Sequence, residues 1–212
     1  MPRKLIVQTF LTLDGVMQAP GGPEEDRSGD FPYGGWSVNY WDQTMGEVMG
    51  AATSTPFAMV LGRRTYDTMA AVWPHAGEED GAPIFNNATK YLASRTPHAL
   101  PWQNSIQMDG DAATALAALK QDDGPELQIH GSATLIQSVL PHGLVDEFRL
   151  WIFPVVLGKG KRLFGDGAIP AGLALVNQVV SGTGVVMATY VPAGEIPFGT
   201  VAHGDATDTT AS

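Results

Sequence analysis

The sequence predicts an α/β fold of three layers, a mixed and mostly parallel sheet with helices on both faces and an antiparallel hairpin at its C-terminal end. Three observations predict it. Short apolar runs of strand length alternate with segments of helical apolar periodicity as far as about residue 140. Glycine follows two of those runs directly, at Gly62 and Gly131, where a strand turns into a helix. Beyond residue 140 come three β-prone runs with no helical pattern between them.

Residues 5–11 (LIVQTFL) are apolar and β-prone and end in Leu13-Asp14-Gly15, a turn signal, so they form the first strand. Residues 16–35 are dense in Gly, Pro and acids and form a long loop, a feature that is usually functional or disordered. From Trp36 to about Ala52, Trp41, Met45, Val48 and Met49 recur at helical spacing, which predicts a helix with one face on the core. Residues 57–61 (FAMVL) read as a strand buried on both faces, followed at once by Gly62 and a helix to about Ala71. Residues 74–88, again rich in Gly, Pro and acids, separate this helix from the next strand and form a candidate lid or rim.

Two further strands are expected at 89–94 (TKYLAS) and 104–108 (NSIQM), and Asp109 or Asp111 caps a helix running to about Lys120. ELQIH, 126–130, is a strand, and Gly131-Ser132 opens a helix with Leu135, Val139 and Leu140 on its buried side. Residues 144–157 are strongly β-like, with Pro154 marking an edge or bend and Trp151 and Phe153 reading as exposed. A glycine-rich loop then leads to strands at 173–181 and 185–191, joined by Gly182-Thr183-Gly184. One domain over 1–192 is expected, with 193–212 a flexible tail.

Composition narrows function. With 212 residues and 44% hydrophobic content the chain buries a sizeable core, and it has no apolar run of membrane-spanning length. Its start, MPRKLIVQTF, lacks a long apolar stretch and a cleavage signal, so a soluble cytoplasmic protein is expected. The absence of cysteine excludes disulfides, thiolate metal sites and cysteine nucleophiles. A net charge of −10 argues against nucleic acid as a partner. The cations are clustered, with Arg63, Arg64, Lys90 and Arg95 around strand ends and Lys159, Lys161 and Arg162 in one glycine loop. That distribution suggests a small anionic ligand. The histidines (75, 98, 130, 142 and 203) show no metal-ligand spacing, so no metal site is expected, and no GxSxG elbow points to a serine hydrolase.

Three strands end in candidate anion contacts: Gly62-Arg63-Arg64-Thr65, Ser94-Arg95-Thr96, and Gly131-Ser132-Ala133-Thr134. Parallel strands place such ends on one sheet edge, where ligands bind in folds of this class. Helix N-termini offer free N–H groups, glycine allows close approach of a phosphate, and arginine adds a bidentate fork. Two glycine-led helix starts suit a pyrophosphate, and the third turn suits a ribose phosphate. The pattern points to a dinucleotide, in its phosphorylated form because Arg64 and Arg95 are available and no acid occupies those turns.

The strings LTLDGV, LGRRTYDTM, LASRT, IHGSATLIQSVL and LVDEFRLWIFPVVLGKGKRLF, in this order over about residues 3–191, resemble the dihydrofolate-reductase-like superfamily. The branch they are most similar to is the reductase domain of riboflavin biosynthesis, the RibD C-terminal type. The resemblance implies a usually dimeric α/β/α domain that binds NADPH and passes hydride to a small heterocycle or carbonyl-like substrate. It implies that Arg63, Arg64 and Thr65 meet the adenosine phosphates, Ser94 and Arg95 the adenine-side ribose, and Gly131, Ser132, Ala133 and Thr134 the pyrophosphate. Asp14 would stand by the nicotinamide or substrate. The Met-Pro-Trp and acid arrangement of folate reductases is absent, which argues against folate, and no cysteine-bearing zinc deaminase module is present.

A proton must accompany the hydride, and a carboxyl near a reducible C=N or C=O supplies it when burial raises its pKa. The candidates are Asp14, then Asp42, with Glu47 on the same predicted helix. The expectation is an NADPH-dependent reductase of a small heterocyclic or carbonyl/imine metabolite, a homodimer. A non-catalytic nucleotide-binding or ligand-sensing protein on the same fold is the alternative.

Overall fold

A computed structural model describes residues 2–165 and 168–201. The described chain folds around one eight-stranded sheet. In chain order the elements are β1 (Leu5–Thr12), α1 (Gln43–Ala52), β2 (Phe57–Gly62), α2 (Arg63–Val72), α3 (Ala82–Asn87), β3 (Thr89–Ala93), β4 (Ser105–Gln107), α4 (Ala112–Leu119), β5 (Glu126–His130), α5 (Ala133–Val139), β6 (Glu147–Phe153), β7 (Gly172–Val180) and β8 (Val186–Gly194). Across the sheet the order is β4-β3-β2-β5-β1-β6-β8-β7. All pairings from β4 to β6 are parallel, and β8 pairs antiparallel with both β6 and β7. This is the predicted dihydrofolate-reductase-like α/β/α architecture, with its C-terminal hairpin extending the sheet.

Strand alternation sends side chains to two cores. Leu5 and Val7 of β1, Ala58 and Val60 of β2, Leu127 and Ile129 of β5, and Phe148 and Leu150 of β6 face α4 and α5. On the other face the apolar packing divides. Phe57, Met59 and Leu61 of β2 and Leu92 of β3 pack with Tyr66, Phe85 and Trp102. Trp151 and Phe153 of β6 pack with Met45 of α1 and with Val185 and Met187. Between these two clusters lie β1 and β5, whose side chains on this face include the polar Gln8, Gln128 and His130.

Several elements differ from the sequence reading. The helix expected from Trp36 begins only at Gln43, because the Asp42 side chain accepts from Met45 N at 2.9 Å and caps it there. Trp41 is left outside the helix, half-exposed and stacked on Trp151 with centroids 5.8 Å apart. Segment 74–88 contains a short helix, α3, whose Pro83 sits in its first turn, where the missing N–H costs no hydrogen bond. Its Phe85 is buried and stacks on Trp73 at 4.2 Å. The run 144–157 pairs only from Glu147 to Phe153, ending where Pro154 removes a donor.

Trp151 and Phe153, read as exposed, are 3% and 0% exposed, because β6 is an interior strand between β1 and β8. The exposed apolar strand is β7 at the sheet edge, with Leu173, Leu175, Val176 and Val180 in solvent. Lys90, grouped with the strand-end cations, lies at the other end of β3, fully buried. Its Nζ donates to Asn86 O at 2.7 Å and Gln103 O at 3.1 Å. Residues 202–212 of the predicted tail lie outside the described residues. Among the described residues no helix is long and apolar enough to cross a membrane.

Candidate functional site

The three glycine- and arginine-bearing turns stand at the C-terminal ends of β3, β2 and β5, which are adjacent and parallel. Their proximity is direct. Gly62 N donates to Ser132 Oγ at 3.0 Å, so the turn after β2 is tied to the turn after β5. A Cβ on Gly131 would stand 3.8 Å from Thr65 Cγ2. Gly131 and Ser132 both adopt left-handed φ, +54° and +55°, and Gly131 N donates to Gln8 O at 3.3 Å, which ties the turn after β5 to β1. A serine held there is strained by the order of 1 kcal/mol, and its hydroxyl bond to Gly62 helps to hold it.

These turns form one wall of an open cleft of about 930 Å³. Gly62, Arg63, Arg64, Thr65, Ser94, Arg95, Gly131, Ser132, Ala133 and Thr134 all line it. The arginines are not equivalent. Arg64 Nη1 is 2.6 Å from Asp26 Oδ1 and 2.8 Å from Ser28 Oγ. Among the described residues no hydrogen bond or ion pair engages the side chain of Arg63 or Arg95.

The Asp26 partner comes from the loop between β1 and α1, which is packed rather than loose. Val16, Ala19 and Phe31 form a small buried cluster, and Gln18 Nε2 donates to Asp26 O and Ser28 O at 3.0 and 2.9 Å. Lys161 Nζ reaches the other Asp26 oxygen at 2.5 Å. Burial acts to raise the Asp26 pKa, but the bonds from Lys161, Ser28 and Arg64 prevail and hold the carboxyl well below the usual range. The cations of the glycine loop are thereby consumed by the acidic loop. Lys159 donates to Asp30 O and Arg162 to Asp14 O, besides Lys161 on Asp26.

The carboxylates singled out in the sequence stand elsewhere. Asp14 does not line the cleft; it ties the end of β1 to the loop after β6. Its Oδ1 accepts from Thr12 Oγ1 at 2.6 Å and Leu157 N at 3.2 Å, and its Oδ2 from Gly158 N at 2.8 Å. The Thr12 hydroxyl, working against burial and joined by the Gly158 and Leu157 amides, lowers its pKa, the direction opposite to that of a proton donor. Asp42 is the α1 cap, and Glu47 accepts from Gln43 in solvent. The carboxyl that does line the cleft with a raised pKa is Glu25. Burial pushes it up despite the 2.6 Å bond from Gly21 N.

Residues 3–187 match the family model of the RibD C-terminal domain. The chain belongs to the RibD C-terminal domain family. Two Bacillus subtilis relatives are the uncharacterized proteins YyaP, 28% identical over 89% of this chain and 94% of its own, and YwjB, 26% identical over 78% and 85%. Among solved structures, a protein described as a riboflavin biosynthesis protein from Shewanella superposes with a TM-score of 0.63 at 23% identity, over 91% of this chain and 99% of that one. A pyrimidine reductase-like protein from Corynebacterium diphtheriae gives 0.59 at 14%, covering 90% and 92%. Dihydrofolate reductase from Enterococcus faecalis, solved with NADP(H), gives 0.55 at 16%, covering 90% and 96%. These likenesses share the fold.

In this RibD C-terminal domain the cleft also gathers residues to which no sequence motif pointed. Gln8, Thr9 and Phe10 of β1, Met17, Trp41 and Met49 line it. Phe10 and Trp41 stand 6.4 Å apart by ring centroids and give this part of the wall an aromatic surface. The acid-dense run 24–30 was the only sequence signal for Glu25 and Asp26. Gln8 sits inside an apolar strand, and its polarity within LIVQTFL was the signal for it. Among the described residues no group of three or more His, Asp or Glu is placed to hold a metal ion.

Proposed function

We propose that this protein is an NADPH-dependent reductase that passes hydride to a small heterocyclic or carbonyl/imine metabolite. The observation that carries the reading is the assembly of three turns from adjacent strands on one cleft, with two guanidinium groups there unengaged by the protein. The residues present suit the cofactor's phosphates. The Gly62–Thr65 and Gly131–Thr134 turns flank the position for the pyrophosphate, with N–H groups and the Thr65 and Thr134 hydroxyls as donors. Arg63, Arg95 and Ser94 suit the phosphate on the adenine-side ribose. Arg64 is committed to Asp26 and contributes to a phosphate only by sharing its fork.

NADPH supplies the hydride. The chain's own part is to bind, to orient and to furnish a proton. Phe10, Trp41, Met17 and Met49 form an apolar surface on which a planar acceptor lies out of water. Glu25, carrying the raised pKa at the same cleft, holds a proton to higher pH than an exposed carboxyl and delivers it when hydride arrives. Asp14 supports this from a distance by fixing the end of β1.

Titration of NADPH and NADH followed by nicotinamide fluorescence tests the cofactor. Binding in the micromolar range with NADPH the tighter is expected, and no binding of either ends the proposal. A homodimer is part of the reading, carried by the exposed apolar face of β7, since an unpaired apolar edge invites pairing with a second copy. Light scattering that returns a monomer mass at working concentration removes it.

A further inference from the structure

Arg95 stands in a turn framed by side chains from β4 and α2. β3 and β4 run parallel with Leu92 opposite Gln107, so the last residue of β4 lies beside the Ser94-Arg95-Thr96 turn that follows β3. Gln107 Nε2 donates to Thr96 O at 2.9 Å and, more weakly, to Ser94 O at 3.5 Å. Its Oε1 accepts from His98 N at 2.9 Å. The partners settle which end of this amide is which, because carbonyls only accept and a backbone N–H only donates. One side chain thus holds the backbone on both sides of Arg95. Ser94 Oγ adds a bond to Thr96 O at 2.8 Å, and Pro97 fixes φ where the chain leaves the turn.

The other side of the frame is α2. His98 Nε2 lies 2.6 Å from Asp67 Oδ1, and since a carboxylate only accepts, that nitrogen carries the hydrogen. Asp67 follows Arg63 by four residues on α2, the spacing at which an acid and an arginine on one helix face pair. That pair does not form. Asp67 is engaged by His98, and among the described residues no hydrogen bond or ion pair engages the Arg63 side chain.

Asp111 lines the cleft from beyond the end of β4, and it too is occupied, accepting from Thr114 N at 3.0 Å as the cap of α4. Two acids that could neutralise the arginines are therefore held by other partners, and Arg63 and Arg95 line one cleft with their donors free. Two such cations suit a phosphate monoester, which carries about 1.5–2 negative charges at pH 7 and accepts from more than one fork.

We propose that Gln107 and His98 are positioning residues that set a preference for the 2′-phosphorylated dinucleotide, Gln107 by fixing the Arg95 turn and His98 by holding Asp67 away from Arg63. The inference rests on the reductase reading of the cleft, and it concerns the choice between two cofactors rather than the binding common to both. The His98–Asp67 pair is partly exposed and contributes little to folding, so its loss is read in ligand choice.

The test titrates NADPH and NADH into the full chain by nicotinamide fluorescence and compares the ratio of their Kd values. The parent is expected to favour NADPH by roughly tenfold or more. Gln107→Met, similar in length but without the amide, is expected to weaken NADPH by about fivefold, to leave NADH unchanged, and to add nothing in an Arg95→Ala background. Gln107→Glu keeps the acceptor for His98 N but loses both donors, and is expected to behave as Gln107→Met does. His98→Ala is expected to narrow the ratio by releasing Asp67 to Arg63, and Asp67→Asn added to that variant to restore it.

Equal affinity of the parent for the two cofactors overturns the proposal, as does a Gln107→Met loss that NADH shares equally or that persists in Arg95→Ala. So does a His98→Ala ratio equal to the parent's, or a deficit that Asp67→Asn leaves in place. If Gln107→Met lacks the parent's circular dichroism, the His98 and Asp67 variants decide. A parent that binds neither cofactor ends the reductase reading. The inference is then decided by calorimetry with adenosine 2′,5′-bisphosphate against 5′-AMP, where equal or undetectable binding overturns it.

Discussion

Arg63 and Arg95 face the cleft unengaged while Arg64 is held by Asp26, and this difference orders their contributions. A guanidinium that gains a phosphate without giving up a partner contributes a charge-assisted bond of about 1.5–3 kcal/mol. Arg63→Ala and Arg95→Ala are therefore each expected to weaken NADPH binding by about tenfold or more, and Arg64→Ala by less, in fluorescence titrations. His130 gives a pH test at the same scale. Its folded pKa, about 4, lies below the ordinary histidine value of about 6.5, so between these values the unfolded chain binds more protons. The stability this neutral ring contributes is complete above about pH 6.5 and is lost as pH falls toward 4. Urea denaturation from pH 7 to 4 is expected to show that decline, and His130→Gln to flatten it. The sequence displayed these arginines and this histidine plainly. It did not display that Asp26, 38 positions away, occupies one of them.

Among elements, the loop between β1 and α1 is held by its own packing and by Asp26. A Cβ on Gly160, whose φ is +133°, would meet Val16 Cγ1 at 2.5 Å and Phe31 Cε2 at 2.9 Å. Gly160→Ala is expected to destabilise the fold by about 1–3 kcal/mol through this overlap, measured by urea denaturation. The Asp26 clasp has its own pH sign. With its folded pKa depressed, the stability it contributes is present above the ordinary carboxylate value of about 3.9 and is lost only as pH falls toward the much lower folded value. Asp26→Asn is expected to loosen the loop at neutral pH, read as faster limited proteolysis within residues 16–35, whereas acid does so in the parent only well below pH 4. The composition of the loop signalled an irregular segment. The clasp was not legible, because its three charges come from three separated stretches, 26, 64 and 161. Likewise α3 was hidden by the Gly, Pro and acids around it, which obscured a six-residue helix held by the burial of Phe85.

At the scale of the whole molecule, ligand binding and folding are linked. If NADPH binds only the folded chain, a concentration of 100 times Kd adds about 2.7 kcal/mol to stability. Thermal unfolding monitored with increasing NADPH is expected to shift upward by several degrees, and a flat Tm would contradict the proposed cofactor. The edge strand β7 carries Leu175 and Val176 in solvent, so Val176→Lys is expected to leave the fold intact and reduce any dimer to monomer in light scattering.

What the sequence determined by itself was the order of elements apart from α3, the three-layer class and the turns at Gly62, Ser94 and Gly131. These follow from local periodicity and turn chemistry, which depend on near neighbours in the chain. Tertiary structure alone decided which strands are adjacent, and so put the β2 and β5 turns, expected on one sheet edge, in direct contact. It alone placed β6 in the interior and so buried Trp151 and Phe153, leaving β7 as the apolar edge. It also moved the carboxylates of interest. Asp14 sits where four bonds from Thr12, Leu157, Gly158 and Arg162 converge, while Glu25 reaches the cleft. Burial and the identity of long-range partners set the charge state of such groups, and neither is a property of the residues beside them in the chain.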